Sequence, residues 1–276
     1  MGFTNDHPAY QIYDKNNIEA KYSDLIKKAN ESDIILFGEL HNNPICHWLE
    51  LDITQDIFNN KKGNIELGAE MFQADDQLVL DEYINKSIKD EHLKEEANLW
   101  KNYRTDYKPL VDFARDNKLS FVATNIPNRY ASLVSRTNIS ELNKLTDQSK
   151  KWIAPLPITI DMELSAYKNM MDMFGSSHGT DLNPKSFVEA QAIKDATMAY
   201  FINKHFKVGS TFIHFNGSYH SDNYQSIYWY LKKYNPKLKI MTISSIEQEE
   251  IDKPVNEYKG LADFTINIPN SMTKTY

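Results

Sequence analysis

Acidic and imidazole side chains stand in this sequence directly after apolar runs, where buried strands would end. The clearest pair is Glu39 and His41, which follow the apolar residues 34–37. On an extended backbone, side chains two positions apart point the same way, so both groups would face one site. A carboxylate beside an imidazole can bind a divalent metal or form an acid/base pair. The alternative is structural: Glu39 caps the following turn, and His41 is a hydrogen-bonded turn histidine.

The same pattern recurs after three later apolar runs, which are followed by Glu70, Asn125 and His220. In open α/β proteins, ligands bind outside the carboxyl ends of the strands, so these groups would share one rim. The alternatives are that Glu70 caps a helix and that His220 is a helix-terminal surface histidine. We predict a strand-end cleft whose candidate catalytic residues, and metal ligands if a divalent ion is bound, are Glu39, His41, Glu70 and His220.

Three further polar residues are expected to line this cleft: His47, Asn125 and Asp195. His47 would lie on the first turn of a helix that begins at Pro44, and it could instead pack beside the neighbouring tryptophan. Asp195 falls among apolar residues of a long predicted helix, where a buried carboxylate needs an imidazole or arginine partner. An exposed helix face is the alternative for Asp195.

Short apolar runs alternate with helical patterns along the 276 residues, which is typical of α/β proteins. We therefore expect a three-layer α/β fold, with a mostly parallel sheet and helices on both faces. Residues 1–276 are read as a single domain. Residues 127–184 contain no convincing strand and several prolines and glycines, so they predict a helical insertion within that domain.

The insertion carries the candidate haem ligands. It has a methionine-rich stretch at 162–174, which includes Tyr167 and is followed by His178. Methionines give adaptable apolar surface, although at helical spacing they are more often core. Tyrosinate and imidazole both serve as axial ligands of haem iron. The chain has no Cys-x-x-Cys-His sequence, so any haem would be held non-covalently. Arg129 is a candidate contact for a carboxylate such as a haem propionate.

The bulk composition excludes several classes. A net charge of −7 argues against nucleic acid as a partner. The single cysteine, Cys46, excludes an intramolecular disulfide. No stretch approaches the roughly 20 apolar residues of a membrane span, and residues 1–5 lack a signal-peptide core. The chain as given is expected to be soluble.

With these residues identified, the chain resembles the ChaN-like haem-binding lipoprotein family, related more distantly to the Tiki metalloproteases and the erythromycin esterases. The resemblance runs over nearly the whole chain, and the combination of Gly-Glu-x-His with a later carboxylate and a Gly-x-x-His is specific. The matching segments are 9–14, 36–44, 68–72, 123–127, 191–199 and 215–220, together with Trp100, Tyr103 and Pro109.

The resemblance implies a non-covalent haem-binding protein of bacterial iron or haem uptake, dimeric, with a tyrosine ligand at the dimer contact. It also implies a lipid-anchored protein of the outer membrane or periplasm, whose membrane contact is an N-terminal lipid. In the enzymatic relatives, the residues matching Glu39, His41, Glu70 and His220 line a hydrolytic or metal site. The alternative function is therefore a metal-dependent esterase or peptidase, which leaves open whether the chain is an enzyme.

Overall fold

The fold is built on one seven-stranded sheet with the strand order β1-β7-β6-β2-β5-β3-β4. The computed structural model describes residues 8–175 and 183–276. Only the edge strand β1 runs antiparallel, against β7, and every other pairing is parallel. The strands are β1 (Gln11–Asp14), β2 (Ile34–Glu39), β3 (Ile65–Gln73), β4 (Phe121–Asn125), β5 (Thr211–Gly217), β6 (Ile240–Gln248) and β7 (Phe264–Pro269). The predicted mostly parallel sheet is confirmed.

Helices cover both faces of the sheet. They are α1 (Tyr22–Asn30), α2 (Pro44–Asn60), α3 (Gln77–Ile84), α4 (Asp90–Glu96), α5 (Lys108–Asn117), α6 (Asn128–Arg136), α7 (Asp147–Lys150), α8 (Ser165–Gly175), α9 (Pro184–His205) and α10 (Ile227–Tyr234). One apolar core joins the sheet to α1, α2, α3 and α5, and a second joins it to α6, α9 and α10. The three-layer α/β prediction is thus confirmed. In the described part of the chain, no helix is long and apolar enough to span a membrane.

The described residues of 127–184 are helices and turns. They contain α6, a 3₁₀ turn (Ile139–Lys144), α7 and α8. The helix α6 packs on α9 as part of the second helical layer. The helix α8 also packs on α9, through a small apolar cluster that includes Tyr167, Met170 and Val188. This segment therefore contacts the rest of the molecule mainly through α9.

The order of the strands creates a crevice at the carboxyl end of the sheet. After β2 the chain enters α2 on the first face, whereas after β5 it enters α10 on the second face. Because β2 and β5 are neighbours, the segments that follow them leave the sheet toward opposite faces. A reversal of this kind opens the crevice in which ligands of α/β proteins bind.

Candidate functional site

The predicted residues meet in a cleft of about 440 Å³ at this reversal. Its lining is contributed by the ends of β2 and β5, the turns that follow them and the chain terminus: Glu39, Leu40, His41, Asn42, Gly217, Ser218, Tyr219, His220 and Tyr276. Glu70 and Asn125 line a second cavity of about 530 Å³. Glu70 also borders the first cleft, because its carboxylate contacts Gly217 and His220, which line it.

The first half of the cleft is the pair predicted from the sequence. Glu39 is buried, and its Oε1 lies 2.7 Å from His41 Nδ1. The Tyr107 hydroxyl donates to the same oxygen at 2.8 Å. Burial alone would raise the pKa of Glu39, but the hydrogen bonds with His41 and Glu50 and the charges of His47 and His41 together outweigh this, and the pKa is lowered. Burial lowers the pKa of His41, and the hydrogen bond to Glu39 and the charge of Glu70 reverse this to a raised pKa.

The other nitrogen of His41 lies against the backbone of Gly217. A Cβ placed on Gly217 would come within 2.8 Å of His41 Nε2, a distance that real Cβ atoms do not show. The glycine therefore leaves room for the imidazole beside the end of β5. With Nδ1 held by Glu39 and the ring edge-on to Trp100 at 4.7 Å, His41 has one defined orientation.

The second half of the cleft is a chain of four buried side chains. His220 Nε2 lies 3.2 Å from Glu70 Oε1, and His220 Nδ1 lies 2.5 Å from Asp195 Oδ1. The Tyr167 hydroxyl donates to the other oxygen of Asp195 at 2.8 Å. The backbone N–H of Gly217 donates to Glu70 Oε2 at 2.8 Å. The imidazole is thus clamped between two carboxylates.

The electrostatics follow from this clamp. Burial would lower the pKa of His220, but the charges of Glu70 and Asp195 raise it to about 10. Burial acts in the opposite sense on Glu70, and the charge of His220 holds the pKa of this carboxyl far below its ordinary range. For Asp195, burial raises the pKa despite the contact with His220. At neutral pH the group is therefore an ion-paired imidazolium rather than a free base.

The four candidate ligands form two pairs in the structure. Glu39 pairs with His41, and Glu70 pairs with His220. Among the described residues, the acidic, imidazole and thiol side chains whose donor atoms converge within 4.8 Å of one another are Glu39, His47 and Glu50. The strand ends therefore supply two acid/base pairs, and the convergent set lies deeper.

His47 is buried beneath the cleft, next to Glu39, which lines it. Its Nδ1 lies 3.1 Å from Glu50 Oε2 and 3.6 Å from Glu39 Oε2. Its Nε2 lies 3.2 Å from the His41 carbonyl oxygen and 3.5 Å from Asp106 Oδ2. In the first turn of α2, Cys46 and His47 point inward under the end of β2, whereas Trp48 stays exposed.

Tyr167 does not have the position expected of a haem ligand. Its side chain is fully buried, and its hydroxyl donates a hydrogen bond to the Asp195 carboxylate. Burial and the charge of Asp195 raise its pKa well above the ordinary value, which disfavours the tyrosinate that binds iron. The sequence correctly placed Tyr167 on a methionine-rich helix, but it could not show that this face of α8 packs on α9.

Four further candidates were predicted from the sequence: Asp195, Asn125, Arg129 and His178. Asp195 is fully buried behind His220, which supplies the partner that its burial requires. The Asn125 amide donates to the Glu70 carbonyl oxygen at 3.0 Å, so Asn125 ties the end of β4 to β3. The Arg129 guanidinium lies 2.5 Å from Asp75 and stacks 4.6 Å from the Tyr130 ring. His178 lies outside the described residues.

Two site residues escaped the sequence prediction, namely Glu50 and Tyr107. Glu50 is fully buried on α2, and Tyr107 donates to Glu39. A signal for Glu50 was present, because it shares a helical face with the buried residues Cys46, Ile53 and Ile57. A charged residue on such a face marks a functional or ion-paired position.

The comparisons with known proteins point to one family. The family model described as haem-binding uptake, Tiki superfamily, ChaN, matches residues 25–231. A curated relative, the chloroplastic protein RETICULATA-RELATED 5 of Arabidopsis thaliana, is 25% identical over 186 residues, which are 64% of this chain. This chain spans only 25% of that relative's length.

Solved structures show the same fold. ChaN of Campylobacter jejuni, in a structure of cofacial haem binding, has a TM-score of 0.69 at 22% identity and covers 93% of this chain and 96% of its own. Erythromycin esterase EreC in its open conformation has a TM-score of 0.51 at 10% identity, covering 95% and 83%. At these identities the likeness shows the fold alone, whereas the family match extends over most of the sequence. The chain belongs to the haem-binding uptake family of the Tiki superfamily, the family of ChaN.

Proposed function

We propose that this chain binds haem non-covalently and takes part in haem or iron uptake. The observation that carries the proposal is the family match over residues 25–231. The fold shared with ChaN of Campylobacter jejuni, for which cofacial haem binding is described, is consistent with it. Because that likeness is limited to the fold, the iron ligand has to be sought among the residues of this chain.

Of the two ligands predicted from the sequence, His178 is the one we propose. Tyr167 is buried and donates its hydroxyl to Asp195, so it has no open side for an iron atom. His178 is proposed on its residue type and its place beside the methionine-rich stretch. Arg129 is half exposed, and a haem propionate would have to replace Asp75 as its partner.

Titration of the metal-free protein with hemin tests this proposal. We expect a saturable shift of the Soret band, which His178→Ala abolishes and Tyr167→Phe leaves in place. His92→Ala, at an exposed histidine of α4, is the matched control and should behave as the wild type. A titration without saturation, or loss of the shift in a folded Tyr167→Phe variant, would contradict the proposal.

We further propose a homodimer around the haem and attachment to the cell envelope through an N-terminal lipid. Both rest on the family resemblance alone. Sedimentation with and without hemin tests the dimer, and we expect the dimer fraction to rise as haem is added. Fractionation of cells that express the natural gene tests the location, and recovery in the soluble cytoplasmic fraction would contradict a lipid anchor.

A second candidate function is hydrolysis of an ester or amide in the strand-end cleft. The observation that favours it is the position of His41, whose Nδ1 is held by buried Glu39 while Nε2 lies over Gly217. In this geometry Nε2 can take a proton from an attacking water, while Glu39 fixes the tautomer and stabilises the resulting imidazolium. A metal-dependent version would require Glu39, His41, Glu70 and His220 to draw closer together than in this structure.

An activity panel of esters and peptides, measured on protein without haem, tests the hydrolase candidate. We expect His41→Ala to reduce any activity by about 10²-fold or more, as for other general bases. His92→Ala again serves as the matched control. If His41→Ala has the same activity as the wild type, the activity does not come from the cleft. Since no haem is present, the result is independent of the hemin titration.

A further inference from the structure

A buried group of side chains lies beneath the cleft, and its two members on α2, His47 and Glu50, take no part in either proposed function. Glu39 stands at the end of β2, while His47 and Glu50 are three residues apart on α2 and therefore share one face of the helix. Each of the three presents a donor atom within 4.8 Å of the other two. Glu39 and Glu50 have 1% and 0% of their surface exposed, so water does not solvate this charge.

Two carboxylate oxygens of this group accept no hydrogen bond from a backbone, hydroxyl or imidazole donor. A proton on Glu50 could serve them, since burial and the charge of Glu39 raise the pKa of Glu50 well above its ordinary value. Glu39 Oε1 is satisfied by His41 and Tyr107, but Glu39 Oε2 accepts no such hydrogen bond. Glu50 Oε1 is likewise without such a donor. A buried carboxylate oxygen with no partner is costly, typically about 1–3 kcal/mol or more for a charged group. Both carboxylates lie next to the same imidazole nitrogen, His47 Nδ1. The two oxygens without such donors therefore belong to one site.

The contacts on the far side of the imidazole place its proton on Nε2, so the lone pair of Nδ1 is directed at Glu50 Oε2, 3.1 Å away. His47 Nε2 lies 3.2 Å from the His41 carbonyl oxygen and 3.5 Å from Asp106 Oδ2, both acceptors. Asn102 and Thr275 donate to that same Asp106 oxygen and hold it in place. A histidine that donates one N–H to a carbonyl or carboxylate and offers its other nitrogen inward is the usual arrangement of a metal ligand.

We propose that Glu39 Oε2, His47 Nδ1 and the Glu50 carboxylate bind a divalent transition-metal ion. The distances of 3.1 and 3.6 Å from His47 Nδ1 to the two carboxylates suit ligands that each lie about 2.1 Å from a shared ion. One nitrogen and two carboxylate ligands favour zinc or manganese. The ion ties α2 to the end of β2 behind the Glu39–His41 pair. Because the site is closed, it loads as the chain folds.

Metal content and stability of the refolded full-length protein test the site. The protein is unfolded with a chelator and refolded with Zn²⁺, with Mn²⁺ or without metal, always in the absence of haem. We expect about one ion per chain and a higher thermal midpoint after refolding with one of the two metals. Wild-type protein that retains no metal above background, and gains no stability from either ion, overturns the proposal.

Glu50→Gln distinguishes the metal from a proton shared by the two carboxylates. Glutamine has nearly the shape of a protonated glutamate, so a shared proton predicts that this variant is as stable as the metal-free wild type. The metal site predicts that retained metal falls about tenfold or more and that the metal-dependent rise in midpoint disappears. Glu66→Gln is the matched control, at a buried glutamate bound by Ser210 and Lys207, and should retain the metal.

A second variant and a spectrum separate this site from the cleft. His220→Gln removes a cleft imidazole and should leave the metal content unchanged. If His220→Gln loses the metal while Glu50→Gln keeps it, the ion lies in the cleft and the proposal is wrong. Should Glu50→Gln fail to fold, the Co²⁺-substituted wild type serves instead: its visible absorption should report nitrogen ligation that His47→Gln removes, and an identical spectrum in His47→Gln overturns the proposal.

Discussion

Two residue-level contacts decide what the cleft can do. His41 is orientated by a buried carboxylate on one side and by a glycine on the other. The sequence was sufficient to place Glu39, His41, Glu70 and His220 at one edge of the sheet, because the carboxyl ends of parallel strands lie together. It was insufficient for Gly217, since the need for glycine arises only when His41 folds over the end of β5.

Gly217→Ala tests the contact with His41. The new Cβ would come within 2.8 Å of His41 Nε2, so we expect the imidazole to be displaced and cleft activity or ligand binding to fall by about tenfold or more. The backbone at this position has a φ of −55°, which alanine adopts freely, so the loss of stability should be small. Cleft function and the thermal midpoint are the measurements.

The double variant supplies the control. In a His41→Ala background the new methyl group meets no imidazole, and Gly217→Ala should then cause no further loss. Equal losses in the two backgrounds would show that the glycine acts through something other than His41.

At the scale of elements, the site depends on how closely β2 approaches its neighbours. Apolar strands, the start of α2 at Pro44 and the alternation of strands and helices could all be predicted from local sequence. The packing of Tyr167 against Asp195 and the inward direction of His47 could not, because they depend on which helix faces meet. Periodicity reveals that a helix has a buried face, but it does not reveal what that face covers.

Gly38→Ala tests the close approach of β2. A Cβ at this position would lie 2.8 Å from Ser218 Cα and 2.9 Å from the Ile243 carbonyl oxygen. Both are backbone atoms that cannot rotate away, so we expect a loss of about 3 kcal/mol in the free energy of unfolding, measured with denaturant. Adding Ser218→Gly removes only a side-chain contact and should give little rescue. Full rescue would place the clash in the Ser218 side chain instead.

For the whole molecule, two buried histidines link stability to pH in opposite directions. Burial lowers the pKa of His214 to about 4. In His220, the charges of Glu70 and Asp195 overcome the effect of burial and raise the pKa to about 10. Both histidines have a pKa near 6.5 in the unfolded chain. Folding therefore disfavours a proton on His214 and favours one on His220.

We expect the contribution of His214 to be lost as the pH falls from about 6.5 to 4, because the unfolded chain takes up a proton that the folded chain excludes. The contribution of His220 is present below about pH 6.5 and is lost as the pH rises toward 10, because the unfolded chain releases a proton that the folded chain keeps. Thermal midpoints across this range should show a flatter acid limb in His214→Asn and a flatter alkaline limb in His220→Gln. Curves parallel to the wild type would contradict these assignments.

The hydrogen bond from Tyr167 to Asp195 also limits how the two proposed functions can be separated in the laboratory. Tyr167 belongs to α8, within residues 127–184, and its hydroxyl covers Asp195 Oδ2, whereas His220 contacts Oδ1. The Tyr219 hydroxyl likewise donates a hydrogen bond to the Ala166 carbonyl oxygen, so the turn next to His220 contacts the same helix. A shortened protein without this segment would expose a carboxylate that balances the charge of His220. Haem binding and cleft chemistry should therefore be dissected by single substitutions, not by deletion.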